Sequence, residues 1–395
     1  IDREVTIRWS TLRTVLEPRL NQPWDQQQPA IKAALMGGAA QLLFMDRVPD
    51  HAVIGESVGW CKTTTAARAS GVVNAVLRKV AKLRVEKLEK ADPTNPAHLV
   101  RNDGTGWRLG EPIFAGEPER RITRQTGCGA GFLKEITRTD SAAEATRLAL
   151  HAMARPPIIM HGASEHDDLE PHETAGFQVL KPGGNLTDVL DQFPTAIVQD
   201  PTAAAACAAT SAIAPQLIVD VCAGRGTKTR QLAAIHPMAR VVASDISPGR
   251  MLSLHDLADS HDRIESCPSK ELMSLAGTVD LLVLDVPCSN SGVLARRVEA
   301  RHRQDSATRQ RLRDLQRQIA ADSLALLAPG GTLLWATCSI HPDENEKQIE
   351  WLTEWHDLEV AMMRRELGQG GPGDQATHWR DGGFFALLRK PRSDG

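Results

Sequence analysis

The chain has 395 residues, 42% apolar and 24% charged, a balance that suits two or three globular domains with substantial cores. Net charge is −3, so nucleic-acid contact has to come from a local basic patch, and no apolar run nears the roughly 18 residues of a membrane span. The seven cysteines are odd in number and none stands at C-x-x-C spacing, which argues against a disulfide framework or a structural zinc site and points to a reducing, cytoplasmic compartment.

The chain opens on Ile1 and not on Met, which suggests a preceding segment, and no secretory leader is visible. Residues 1–90 read as a helical bundle. Ile31, Leu35, Ala39 and Leu42 recur at helical spacing and stop before Pro49. A second helix starts near Asp50 with Val53, Ile54, Val58 and Cys61. A third carries Val72, Val73, Val76, Leu77, Val80 and Leu83 and grades into a charged end. Fold logic alone leaves a packing or dimerisation role open for this bundle. Residues 91–120, with Pro93 and Pro96, read as a linker or long loop. Residues 121–190 read as a small α/β connector, with a helix from Ser141 to Ala154 stopped by Pro156 and Pro157.

From about residue 191 strand and helix alternate. Strands are expected at 217–221, 241–245, 281–285, 331–337 and 384–389, with helices at 309–327 and 345–355. This alternation predicts a doubly wound α/β domain over 191–395, with 368–373 a flexible loop. Three segments follow: 1–90, 91–190 and 191–395.

The stretch VDLLVLDVPCSNSG, residues 279–292, organises this last part. Its apolar run reads as a strand buried on both faces, ending at Asp285. Cys288 follows in a turn. GTLLWATCSIHPDENE, residues 331–346, repeats the arrangement, with a strand end at Thr337 and Cys338 just beyond it. Ligands of open α/β sheets sit beyond the carboxyl ends of strands, so both cysteines fall where a ligand would. LIVDVCAGRGTKT, residues 217–229, places Gly224 and Gly226 between a strand and a helix, and a second strand ends in Asp245. Strand, glycines, helix, strand and acid together suit a nucleoside cofactor, with Asp245 on a ribose diol. The third glycine of the dinucleotide fingerprint is absent, since position 229 is Thr. S-adenosylmethionine, which has no pyrophosphate, fits better than NAD.

Either cysteine alone reads as a small buried hydrophobe. Two beside a cofactor loop suit thiolate catalysis. Methylation of a pyrimidine at carbon 5 uses both. A thiolate added at carbon 6 makes carbon 5 nucleophilic, an acid near nitrogen 3 favours the addition, and a second thiol assists release.

These segments carry a resemblance. DVCAGRGTKT, DVPCSNSGV and ATCSIHPDENEKQI resemble motifs I, IV and VI of the Nol/Nop/Sun RNA cytosine-5 methyltransferases, and DGGFFALLRK resembles their closing strand. Ile197 to Asp200 resemble the element ahead of motif I. QLLFMDRVPDHAVIGESV and GVVNAVLRKV resemble the NusB-like RNA-binding domain of the family's RsmB-type branch. The resemblance implies a Rossmann-like class I methyltransferase domain after an all-α NusB-like domain and a small α/β connector. It implies Cys338 as nucleophile, Cys288 as the release cysteine, and Asp285 at both methyl donor and base. It assigns Cys222, Ala223, Gly224, Arg225, Gly226, Thr227, Lys228 and Asp245 to S-adenosylmethionine. It also implies small-subunit ribosomal RNA as substrate. Three positions depart from the family pattern: the glycine spacing at 224–226, Ser266 where the family has an Asp, and His161 near its Arg-x-Asn element.

Arginines crowd the stretch from Arg296 to Arg317. Arg296 and Arg297, directly after the first cysteine motif, and Lys228 are the RNA-contact candidates. Arg301, Arg303, Arg309, Arg311 and Arg313 suit either phosphate contact or a solvated face. A monomer without metal is expected. An RNA-binding assembly factor that has lost catalysis stays open, motivated by the altered loop and Ser266. So does a small-molecule methyltransferase, which would need neither the helical domain nor a second cysteine.

Overall fold

The computed structural model describes residues 1–64 and 70–392. The chain divides into two compact units. The first comprises residues 1–155, 294–302 and 370–374, and the second comprises 156–293, 303–369 and 375–395.

In the first unit, helices α1 (Asp2–Ile7), α2 (Trp9–Leu16), α3 (Pro29–Phe44), α4 (Asp50–Thr63) and α5 (Ser70–Leu83) form the bundle. The apolar spacing of α5 buries Val73, Val76, Leu77, Val80 and Leu83 on one face, against Leu35, Ala39 and Leu42 of α3 and Val53 of α4. The expected charged helix end does not form. Strand β1 (Arg84–Leu88) starts directly after Leu83. Tertiary partners override the local pattern there: the Gly110 N–H donates to the Leu83 carbonyl, and Arg84 donates to the Leu42 carbonyl, pairs with Asp50 and lies over the Trp107 ring. The expected linker is also structured. β2 (His98–Val100) and β3 (Gly106–Leu109) complete an antiparallel sheet in the order β1-β3-β2.

Helices α6 (Pro118–Thr126), α7 (Ala130–Thr139) and α8 (Ala142–Met153) follow. Ser141 caps α8 by accepting the Glu144 N–H at 3.1 Å, in the Ser-x-x-Glu pattern of a capping box. The segment 370–374, read as part of a flexible loop, packs into this unit, with His151 Nδ1 donating to the Gly370 carbonyl at 2.8 Å.

Arg301 corrects a second expectation. It is buried, 4% exposed, and is no phosphate contact. Its guanidinium donates to the carbonyls of Ile7 (3.2 Å), Thr126 (3.1 Å), Ala152 (2.7 Å) and Val298 (3.1 Å). The first three lie at the C-terminal ends of α1, α6 and α8, where carbonyls lack helical partners and the dipole is negative. Burial pulls the pKa of Arg301 below the ordinary arginine value. Arg301→Ala leaves those carbonyls without their donor. It is expected to lower unfolding stability by about 3 kcal/mol, read as a fall in the urea midpoint, with Arg301→Lys restoring only part.

The second unit starts with a four-stranded antiparallel sheet, β5-β6-β4-β7, from β4 (Ile159–His161), β5 (Leu169–Pro171), β6 (Phe177–Leu180) and β7 (Ile197–Val198). Helix α9 (Leu186–Gln192) packs Val189 against its Met160 and Leu169. Then come α10 (Pro201–Ala208), β8 (Leu217–Asp220), α11 (Thr227–Ile235), β9 (Arg240–Ala243), α12 (Pro248–Asp259), β10 (Ile264–Ser266), β11 (Val279–Asp285), α13 (Ser306–Ser323), β12 (Leu327–Thr337), α14 (Glu346–His356), β13 (Glu359–Glu366) and β14 (Gly383–Arg389). Seven strands pair in the order β10-β9-β8-β11-β12-β14-β13. β14 runs antiparallel to β12 and β13, and the other pairs are parallel. All five expected strands and both helices are present. β10 and β13 are additions at the two edges, where β13 buries no residue and so shows no apolar pattern.

Candidate active site

The strand order reverses between β8 and β11, and the carboxyl ends of the strands at such a reversal are where open α/β sheets bind ligands. β11 and β12 pair in parallel with Asp285 opposite Ala336, and the Val286 N–H donates to the Ala336 carbonyl. The two cysteine loops therefore leave the sheet side by side. Gly292 brings them closer: its N–H donates to the Cys338 carbonyl at 3.0 Å and its carbonyl accepts the Gly382 N–H at 2.8 Å. A side chain there would meet the Gly382 oxygen at 2.4 Å, so the contact requires glycine.

The Cys288 and Cys338 sulfurs lie 3.2 Å apart. Cys338 is half-buried and Cys288 is buried. The Cys338 thiol donates to Asn290 Oδ1 at 3.2 Å, and Asn290 Nδ2 donates to the Cys288 carbonyl. The hydrogen bond with Cys338, then burial, then the charges of Cys338 and Glu344 push the Cys288 thiol well above its ordinary value, against a small opposing effect of the Asn290 backbone. Cys338 is thus the more accessible thiol, and the surroundings of Cys288 favour its protonated form.

Behind them sits an ion pair. Lys228 Nζ donates to Asp285 Oδ2 at 2.7 Å, with side chains 16% and 35% exposed. Burial alone would lower the Lys228 pKa, but the Asp285 charge carries it above the ordinary lysine value. Lys228 stays charged and fixes one Asp285 oxygen.

The glycine loop turns at Gly224, whose φ of +62° leaves open space where a side chain would project. Asp245 accepts the Gly224 N–H at 3.0 Å and the Ser247 N–H at 2.8 Å, and pairs with Arg250 at 3.3 Å. Ile246, next to it, is 91% exposed, an uncovered apolar side chain beside the acid. Asp220 and Asp285 stand at the ends of β8 and β11 and Asp245 two residues past β9, with Lys228 paired to Asp285 and Arg250 to Asp245. An open glycine cradle, a ribose-competent acid and an apolar side chain fit S-adenosylmethionine, which carries a ribose, an adenine and a sulfonium cation. Cys222 lies in the same loop as a half-buried thiol pushed up to about 12, by burial first and then by Asp220, Asp285 and Asp245. A thiol so raised holds its proton at neutral pH, which disfavours it as a nucleophile. Ser266 donates to or accepts from His255 Nδ1 at 2.6 Å, and His161 Nε2 lies 2.8 Å from Gln199 Oε1.

Arg296 and Arg297 are exposed, in the 294–302 segment of the first unit. The other arginines have local roles. Arg309 and Arg313 each lie 3.8 Å from Asp343, Arg317 covers the Trp351 ring, and Arg311 donates to Thr308. The sequence reading passed over two buried carboxyls, Asp220 and Glu344. Both follow a recognisable signal, an acid at a strand end and an acid six residues after a cysteine.

A parallel sheet with one antiparallel strand, β14, set between β12 and the edge strand β13, a glycine loop after its first strand and an acid after its second defines a class I methyltransferase that uses S-adenosylmethionine. Residues 211–388 match the family model described as 16S rRNA methyltransferase RsmB/F, and residues 3–82 match the NusB family; the chain thus carries an RsmB/F methyltransferase domain behind a NusB-family domain. Over 96% of its length the chain is 27% identical to ribosomal RNA small subunit methyltransferase B of Pasteurella multocida, covering 84% of that protein. It is 27% identical to the protein of that name from Shewanella oneidensis, over 94% of this chain and 85% of that one. The crystal structure of PH0851 superposes with a TM-score of 0.73 at 19% identity, over 98% of this chain and 88% of that chain, and shares its fold.

Asp220 generates a pH prediction. Burial raises its carboxyl to about 7, against a hydrogen bond from Thr229 at 2.8 Å, and its Oδ1 has no hydrogen-bond partner among the described residues. An unfolded Asp ionises near pH 4, roughly. The folded state therefore holds this proton more tightly, and the stability it contributes is lost as pH rises from about 4 to about 7. Asp220→Asn is expected to flatten the fall in melting temperature across that window, measured by calorimetry.

Proposed function

We propose that this enzyme methylates carbon 5 of a cytosine in RNA, in small-subunit ribosomal RNA, through a covalent cysteine–cytosine adduct. The observation that carries the reading is the pair of thiols at adjacent strand ends, 3.2 Å apart, one half-buried and one buried. The 27% identity to ribosomal RNA small subunit methyltransferases supports the substrate class.

S-adenosylmethionine, when bound, supplies an electrophilic methyl group. The residues 222–228 and Asp245 hold it, the loop by backbone approach and Asp245 through the ribose. Cys338, as thiolate, adds to carbon 6 of the base and loads electron density onto carbon 5. Asp285, held by Lys228, hydrogen-bonds the ring edge at nitrogen 3 and favours that addition. Once carbon 5 carries the methyl group, its proton passes to Cys288 acting as thiolate base, the carbon 5–carbon 6 double bond re-forms and Cys338 leaves as thiolate. The base is unpaired or flipped out, because carbon 6 is unreachable in a stacked helix.

We read residues 1–90 as an RNA-binding domain, 91–190 as a connector and 191–395 as the catalytic domain. Arg296, Arg297 and Lys228 contribute RNA contacts. Arg296 and Arg297 are exposed and directly follow the first cysteine motif, which supports phosphate contact. The enzyme is a cytoplasmic monomer that needs no metal; seven free thiols support a reducing compartment.

With S-adenosylmethionine and small-subunit rRNA, Cys288→Ala is expected to accumulate a protein–RNA adduct on a denaturing gel, and Cys338→Ala to form none and methylate nothing. Adducts in the opposite pattern exchange the two roles. A parent protein that binds rRNA but methylates none, with no adduct from either variant, makes it an assembly factor without catalysis. Arg296→Ala with Arg297→Ala is expected to weaken RNA binding on all sequences and to reduce the salt dependence by roughly one unit per arginine, measured by filter binding across a salt series.

A further inference from the structure

Each cysteine is followed by a serine, and both serines reach the same carboxylate. Glu344 is 0% exposed. Its Oε1 accepts the Ser289 N–H at 2.8 Å and Gln316 Nε2 at 3.3 Å. Its Oε2 accepts the Ser289 hydroxyl at 2.5 Å and the Ser339 hydroxyl at 2.6 Å. Four donors onto two oxygens match the acceptor capacity of an ionised carboxylate. Ser339 Oγ also accepts the His341 N–H at 3.1 Å and lies 3.0 Å from Ser291 Oγ, which accepts the Ile340 N–H. The turn after β11 and the turn after β12 are therefore joined by one buried polar network.

Among the described residues Glu344 makes no ion pair; the nearby arginines 309 and 313 face Asp343 instead. A buried carboxylate held by hydrogen bonds alone is costly, and apolar packing of the same volume would join two loops at lower cost. Apolar packing would not fix the serines by direction. Hydrogen bonds do, and each serine is bonded through the chain to a cysteine.

Resting on the two-cysteine reading above, we infer that Glu344 is a positioning residue that holds the Cys288 and Cys338 thiols at their working separation by clamping the serine after each. The clamp acts on atoms next to the sulfurs and touches neither substrate nor cofactor. Its charge has a second effect. Cys288 is pushed up by the hydrogen bond with Cys338, by burial, and by the charges of Cys338 and Glu344, so the clamp also favours the protonated form of the release cysteine.

The test needs no RNA. Dibromobimane becomes fluorescent when it bridges two neighbouring thiols, and peptide mass spectrometry locates the bridge. The parent protein is expected to bridge Cys288 and Cys338 rapidly. Glu344→Gln is expected to bridge them about tenfold more slowly, because loss of orientation at this scale is severe, and Ser289→Ala and Ser339→Ala to slow bridging to a smaller extent. Iodoacetamide labelling of Cys288 in a Cys338→Ala background gives a second readout. Its pH midpoint is expected to fall by about one unit when Glu344→Gln removes the neighbouring charge. Loss of fold would also lower that midpoint, because burial contributes to it, so the comparison is made only between proteins whose circular dichroism and melting temperature match the parent's. A bridging rate and a midpoint equal to the parent's would overturn the inference. If Glu344→Gln does not fold, parent-like bridging in both serine variants overturns it equally. A parent that bridges as expected but methylates no RNA leaves the clamp standing and removes the cytosine reading.

Discussion

The parallel pairing of β11 with β12 is the constraint on which the catalytic chemistry rests. Two strands buried on both faces emerge in one register, so the turns beyond them have little freedom in where they start. Asp285 stands opposite Ala336, and each cysteine follows its strand by a few residues. The hydrogen bond from Gly292 to the Cys338 carbonyl then draws the turns together. The sulfurs meet because the sheet delivers them. Leu281, Leu282, Val283 and Leu284 are wholly buried on both faces, and Asp280, which accepts the Gln216 and Leu217 N–H groups, marks the register in which β11 sits beside β8.

Charge at this site is arranged by separation. Lys228 neutralises Asp285, whereas Asp220 and Glu344 are buried carboxyls without a lysine or arginine ion pair among the described residues. Burial raises the pKa of both, but their surroundings differ. Glu344 has four hydrogen-bond donors, while Asp220 has one and an unsatisfied oxygen. In the first, hydrogen bonds from Ser289 and Ser339 oppose the effect of burial, and the second is carried to about 7. One fold thus holds three acids in three electrostatic conditions within the same few strand ends.

Much of this was legible in the sequence because the informative residues sit where local chemistry decides structure. The continuous apolar run before Asp285 could only be a buried strand or a helix, and the Pro-Cys-Ser turn settled its length. The helix expected from Ser141 to Ala154, before Pro156 and Pro157, is one the fold reproduces as α8. The failures share a cause. β1 looked like the end of a helix because Arg84 has no local preference strong enough to resist its partners across the unit. β13 carries no alternation because an edge strand buries no face. Arg301 lies in a run of arginines, and composition cannot tell a solvated guanidinium from one enclosed by helix ends. Glu344 was passed over for a related reason: its meaning comes from two serines far apart in the chain.

The membership of residues 294–302 and 370–374 in the first unit has a consequence for how the protein is made. Synthesis runs from the N-terminus, so helices α1, α6 and α8 emerge long before Arg301 does. Until residue 301 has left the ribosome, the C-terminal carbonyls that it joins have only water or chaperones to meet them. The unit that begins first is therefore finished late, after part of the other unit's sheet has already been synthesised. A chain that ended before residue 301 would leave those helix ends to solvent.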